Sequence, residues 1–520
     1  MNKEWNIPSP CSSNFVQHIA QTRGLSLDES ELSIDNLPDE QLFANITEVA
    51  SRIQKAMYNN EPLVIFGHDD PDGVTSSFIL YQFFNTCGYQ KHQYYIPNRN
   101  IEPHGIQAKF IQFVKEGGFK LVITVDNGIS SYDGVQELNK LGCDVLIVDH
   151  HLVQPETLPP AYAIMNPQLP DCKYPFKGLA GVGVVMMLIR YLSAELEHPI
   201  PQSYYFWTAV GSIADKVPMI GANRQLVNHV LKDWASIHGY TMDFLIRNFT
   251  RVNSKIDVFN FIQYAARFIA NGREEGGKHT ALSFMLQVSD AKADLFETLE
   301  KQKNAWESEL NRVFKYLDAL SADFVGNAFI FYDDEDAIPY SLLGTGATYI
   351  VNKLGIPTIL LKQHNGRMVC EGRCSDGFNM VHSFTACKSH LIQYGGHPKA
   401  AGFSMTVEKY DDFIDCFNEY VQSQMPIETG IGSLNIEAVV TLEDLSEANW
   451  KLYESLLPFG QQNPEPILML SKVKMDQILA VFSTDNQSLN VPQHKTVDVS
   501  FIWKNKNLIR VVDFRESIAT

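Results

Sequence analysis

LVIFGHDDPDG (63–73), LVITVDNG (121–128) and DVLIVDHH (144–151) are three strand-like apolar runs, each closing in acid. Helical patterns at 74–87, 105–117 and 131–142 separate them, which predicts buried parallel strands joined by βαβ crossovers. Parallel strands deliver their carboxyl ends to one crevice, so Asp70, Asp72, Asp126, Asp149, His150 and His151 are expected to converge. Carboxylates crowded together repel one another and take up protons, whereas divalent ions turn that repulsion into coordination, with histidine nitrogen as a further ligand. The pattern predicts a two-metal hydrolytic site. Any one of these acids also reads as a turn residue or helix cap. Asp70 and Asp72 alternate, so they face one side of an extended strand end, and Gly67 and Gly73 let the backbone turn tightly around them. The histidine pair 150–151, directly after a buried strand, is poor packing material.

Outward from these runs, 520 residues exceed a single core and call for several domains. Hydrophobic content of 45%, aromatics at 11% and charged residues at 20% describe a globular chain with little room for disorder. No run reaches bilayer-spanning length and MNKEWNIPSPCSSN lacks a secretory signal, so a cytoplasmic protein without membrane contact is expected. The eight cysteines contain no CxxC pair and are expected to be small core residues in a reduced compartment rather than staples. A formal charge of −18 argues against a uniformly basic nucleic-acid binder, yet leaves room for a basic groove beside an acidic metal site.

The expected organisation is a multidomain α/β protein: an N-terminal arm and helix (1–58), a parallel-sheet domain (59–275), a helical connector (276–325), a smaller α/β domain (326–428) and a C-terminal OB-like β-barrel (429–520). Strands are expected at 434–440, 472–482 and 496–503 in the last of these.

The triplet DHH, with HDDPDG upstream, VDNG between and GSIADKVPM (211–219) downstream, resembles the DHH phosphoesterase superfamily, and within it the RecJ family of single-strand-specific 5′→3′ exonucleases. The likeness continues through MNPQLPDCKYPFKGLAGVGV (165–184), ARFIANGR (266–273), GRCSDGFNM (372–380), YGGHPKAAGFS (394–404) and PFGQQNPEPIL (458–468). The resemblance implies a DHH domain, a helical connector, a DHHA1 domain and an OB-like barrel. It further implies that Asp70, Asp72, Asp126, His150 and Asp215 ligate metal, with His151 beside them, and that Arg99, Arg273, Arg373, Gly395, Gly396 and His397 bind the 5′ end of the substrate. A surface cation or a salt bridge is the plain alternative for each arginine. Paired glycines, by contrast, expose N–H groups that cradle phosphate.

Two departures from the family pattern matter. His68-Asp69 stands where bacterial relatives carry Asp-Tyr, which makes His68 a candidate ligand and favours Mn2+ over Mg2+ for the two ions. Glu371-Gly372 replaces a Ser-Ala pair beside Arg373. The implied activity is two-metal hydrolysis of single-stranded DNA to 5′-mononucleotides in DNA repair and recombination, with Asp126 and His151 catalytic. The barrel is expected to guide the strand by stacking aromatic side chains, and the protein is expected to act as a monomer recruited by a single-strand-binding protein or a helicase. The alternatives are a phosphodiesterase of short oligoribonucleotides or cyclic dinucleotides, and a non-catalytic replication scaffold.

Overall fold

The computed structural model describes residues 4–9, 14–99, 101–249, 252–364, 366–375, 377–424, 433–484 and 496–517. Two compact units result: Ile7–Lys303 with Asn435–Thr520, and Met1–Asn6 with Asn304–Leu434.

In the first unit the apolar runs form a parallel sheet in the order His92–Tyr95, Leu63–Phe66, Leu121–Val125, Asp144–Val148, Ala163–Met165. Every residue of Leu63–Phe66 and Leu121–Val125 is buried, so these strands are covered on both faces and need no polar alternation. Strand order reverses beside Leu63–Phe66, whose neighbours are the two strands that follow it in the chain, one on each side. A reversal of this kind opens a crevice at the carboxyl ends of the strands. Helix Pro71–Thr86 starts there, with proline in its first turn and Asp70 capping it by accepting from Gly73 N at 3.1 Å. It packs against Gly181–Glu195 and Ser203–Ala214, two helices buried on nearly every side.

The C-terminal segment adds a five-stranded OB-like sheet, ordered Ala438–Val440, Leu468–Lys474, Thr496–Asn505, Leu508–Glu516, Ser483–Thr484. The strand expected at 472–482 stops at Lys474 and gives way to helix Met475–Leu479, which buries Met475 and Ile478 three positions apart, a helical rather than an alternating spacing. The expected stacking platform is also corrected: Trp450, Tyr453, Phe459, Phe482, Phe501 and Trp503 are buried in the core, and Phe514 packs against it. This segment is fastened to the parallel-sheet part. Arg23 pairs with Glu437 at 2.6 Å and donates to Pro464 O at 2.6 Å, while Arg224 donates to Leu456 O at 2.9 Å and Ser455 O at 2.8 Å. The N-terminal arm therefore docks on the C-terminal sheet through Arg23, besides packing on the first domain.

Helix Ala291–Leu320 carries the chain into the second unit. There the sheet runs Gln393–His397, Ala400–Met405, Arg367–Arg373, Thr358–His364, Phe329–Tyr332, with only the last pair parallel. Five described cysteines are free thiols, but Cys387 and Cys416 form a disulfide, contrary to the expectation of unpaired thiols. Their sequence separation of 29 brings together the end of helix Met380–Ala386 and the middle of helix Tyr410–Gln424, a proximity no spacing motif announces. Among the described residues no helix is long and apolar enough to cross a membrane.

Candidate metal centre

The acids at the strand ends meet as the topology requires. Strand Leu63–Phe66 runs into Gly67-His68, and a Cβ on Gly73 would lie 2.4 Å from His68 Cβ, so only glycine lets the loop fold back over itself. Strand Leu121–Val125 ends at Asp126, whose φ of +59° turns the chain sharply out of the sheet. A Cβ on Gly181 would lie 2.6 Å from Asp126 Cβ, so the start of helix Gly181–Glu195 presses directly on this acid. Asp72 answers that helix: its carboxylate accepts from Gly181 N at 2.7 Å and Val182 N at 2.8 Å, where the N-terminal amides favour negative charge.

His150 Nε2 sits 3.2 Å from Asp126, 3.6 Å from Asp215 and 4.0 Å from Asp72. It is buried and makes no hydrogen bond. His68 Nδ1 lies 2.9 Å from Asp70 and 3.7 Å from the other oxygen of Asp126. Asp126 thus faces two imidazoles at once, through opposite carboxylate oxygens. Asp215, at the end of helix Ser203–Ala214, joins the same cluster; the loop after it is braced by Met219 N donating to Gln461 O at 2.8 Å.

The electrostatics are those of a site short of positive charge. Burial, then Asp72 and Asp70, push the Asp126 carboxyl well above the usual carboxylate range. Burial, with Asp70, likewise raises Asp72 against the pull of His150, and Asp215 rises to about 7 despite the same imidazole. Burial opposes charge on His150, yet Asp215 and Asp72 raise it above the ordinary histidine value. Asp70 differs: burial is outweighed by His68, which holds it well below the usual range. An imidazole nitrogen without a hydrogen bond, ringed by three carboxylates, is a donor set that fits a divalent cation.

Asp149 converges with Asp126, His150 and His151 as the strand-end pattern suggests, and it also makes hydrogen bonds of its own there. Its Oδ1 accepts from His150 N at 2.7 Å and meets His151 Nδ1 at 2.7 Å, and its Oδ2 accepts from Ile129 N at 3.0 Å. Those contacts orient His151, whose ring centroid is 4.5 Å from that of His150. Against the cost of burial, Asp149 pushes the His151 imidazole up to about 9.

Arg99 and Arg273 lie at the rim, and both reach Asp69, a fully buried acid the sequence reading passed over. Arg373 closes its strand in the second unit, in register with Ala400, which in turn faces His397. Gly395 and Gly396 lie on the outermost strand of that sheet, and Gly396 has a φ of +131°. Arg373 Nη1 donates to Glu371 Oε2 at 2.9 Å, so the carboxylate that departs from the family pattern does engage the arginine. The run of acids around 69 was visible in the sequence; which of them turned away from the cluster was not.

Residues 62–211 match the DHH family, N-terminal domain. Over 440 residues the chain is 30% identical to the single-stranded-DNA-specific exonuclease RecJ of Bacillus subtilis, covering 83% of this chain and 54% of that protein. Over 496 residues it is 26% identical to the protein of the same name from Dickeya dadantii, covering 89% and 84%. A crystal structure of RecJ in complex with Mn2+ from Thermus thermophilus matches with a TM-score of 0.78 at 22% identity, covering 99% of this chain and 80% of that one, a likeness of fold. The chain spans about half the length of the Bacillus relative.

Proposed function

The chain carries a DHH-family domain and is homologous to RecJ along most of its length; from that premise we propose that it is a metal-dependent exonuclease that degrades single-stranded DNA from the 5′ end. The observation that carries the reading is the buried His150 Nε2, without a hydrogen bond and within 4.0 Å of three carboxylates. His68, Asp70 and Asp126 would hold one ion, and Asp72, Asp126, His150 and Asp215 a second. Asp126 would belong to both sets, since each of its oxygens faces a different imidazole. A nitrogen donor in each set favours Mn2+ over Mg2+, which prefers oxygen cages. Divalent ions held there would supply charge against the phosphoryl oxygens and a more acidic water.

The chain's own groups supply the rest. Asp149 raises the proton affinity of His151 and fixes its ring, which equips it to donate a proton to the departing 3′ oxygen. Arg99 and Arg273 add positive charge where a phosphodiester would enter. Arg373, Gly395, Gly396 and His397, gathered at one end of the sheet in the 326–428 region, are the second group we assign to the 5′ end.

The test is a comparison of end-labelled single strands and duplexes with Mn2+ or Mg2+, beside Asp126→Ala. Mononucleotides released from the 5′ end of single strands alone, and absent with the variant, are expected. Preference for dinucleotides, or binding without cleavage, would overturn the assignment.

A further inference from the structure

Residues His68, Asp69 and Asp70 are consecutive, yet the middle one faces away from its neighbours. His68 and Asp70 meet each other at 2.9 Å within the metal cluster. Asp69 instead accepts from the backbone N of Arg99 at 3.0 Å and from Arg273 Nε at 2.7 Å, while its other oxygen pairs with Arg99 Nε. The acid is completely buried, whereas the Arg99 and Arg273 side chains keep 32% and 23% exposure.

A buried carboxylate between two guanidiniums does two things. It cancels the repulsion that would drive two like charges apart, and it fixes each arginine near its Cδ end through Nε, while Arg273 Nη1 is held further by donating to Ala270 O at 3.1 Å. The segment bearing Arg99 is held to the one bearing Arg273 by Ile96 N donating to Gly277 O at 2.9 Å, and the latter is closed on itself by Thr280 N donating to Gly272 O at 2.7 Å. A Cβ on Gly277 would lie 2.2 Å from the Tyr95 ring. The clasp is therefore built into packed backbone rather than formed by two mobile side chains.

We propose that Asp69 is a positioning residue that clasps Arg99 and Arg273 at the rim of the metal centre, aiming both at an incoming substrate phosphate. This rests on the proposed nuclease activity, and it assigns a role to a residue that touches neither metal nor substrate.

The test is steady-state cleavage of a 5′-phosphorylated oligo(dT) in Mn2+ by the full chain, with Asp69→Asn alone and in an Arg99→Ala/Arg273→Ala background. Asp69→Asn is expected to raise KM roughly tenfold with kcat changed less than about threefold, and to have no further effect once both arginines are gone. Equal loss in both backgrounds, or a fall in kcat with KM unchanged, would overturn the proposal. Should Asp69→Asn fail to fold by circular dichroism, Arg99→Lys and Arg273→Lys keep the charge but lose the Nε contact; KM for both at the wild-type value would overturn it as well. Wild-type protein that neither cuts the oligonucleotide nor binds its fluorescein-labelled form in Ca2+ sinks the nuclease reading itself. A wild-type enzyme that cuts normally beside an unaffected Asp69→Asn sinks only the clasp.

Discussion

Asp215→Asn is expected to make the metal-free protein more stable while making it inactive. In the folded chain this carboxyl rises from its ordinary 3.8 to about 7, through burial and through Asp72 and Asp70. A group displaced upward by about three pH units destabilises the ionised folded state by ~4 kcal/mol. The side chain retains 28% exposure and faces His150 at 3.6 Å, so about 2 kcal/mol is the amount to expect after screening. The sign follows from proton binding. Between pH 3.8 and about 7 the folded state holds a proton that the unfolded state has released, so stability falls as pH rises through that window and the full penalty stands above it. Asparagine removes the penalty. In EDTA at pH 8, Asp215→Asn is expected to melt roughly 3 °C above wild type, with the gap closing toward pH 4. In Mn2+ the order reverses, because wild type gains binding energy that the variant has lost. Thermal melts by circular dichroism across pH, with EDTA or Mn2+, measure both arms. A variant that melts below wild type in EDTA at pH 8, or a gap independent of pH, would refute the reasoning.

Asp149→Asn removes the anchor that pushes His151 up to about 9, so activity is expected to fall first on the alkaline side, with roughly tenfold loss of kcat at pH 8 and Mn2+ binding by calorimetry retained. Gly181→Ala places a Cβ 2.6 Å from Asp126 Cβ; loss of Mn2+-induced stabilisation is expected, and normal Mn2+ affinity in that variant would contradict the packing described. Cys387→Ser opens a bridge of 29-residue separation, and a loss of about 3 kcal/mol is expected in chemical unfolding, matched by reductant on wild type; non-reducing peptide mass spectrometry that finds only free thiols at Cys387 and Cys416 would refute the bridge.

Much of the parallel-sheet domain was legible because its information is local. LVIF and LVITV are apolar without interruption, which a strand covered on both faces requires, and an acid closing each run predicts where the crevice will hold charge. Asp70, Asp72, Asp126 and His150 could be placed in one site from that logic, whereas Asp215, closing an otherwise ordinary buried helix, entered only through resemblance to a family. In the C-terminal segment the same reasoning failed at 472–482, where apolar residues long enough for a strand buried Met475 and Ile478 from a short helix instead. Its aromatics read equally well as a stacking platform or as a core, and packing chose the core.

Chain chemistry alone determined the strand and helix periods and the acid that closes each apolar run, because each follows from neighbours a few residues apart. Only tertiary structure decided that Asp69 turns away from the metal-binding acids on either side, that it meets guanidiniums 30 and 204 positions along the chain, and that Asp149 orients His151. One carboxylate is chemically the same as the next, and the direction it faces depends on backbone torsions and on distant segments that exist as partners only once the chain has folded.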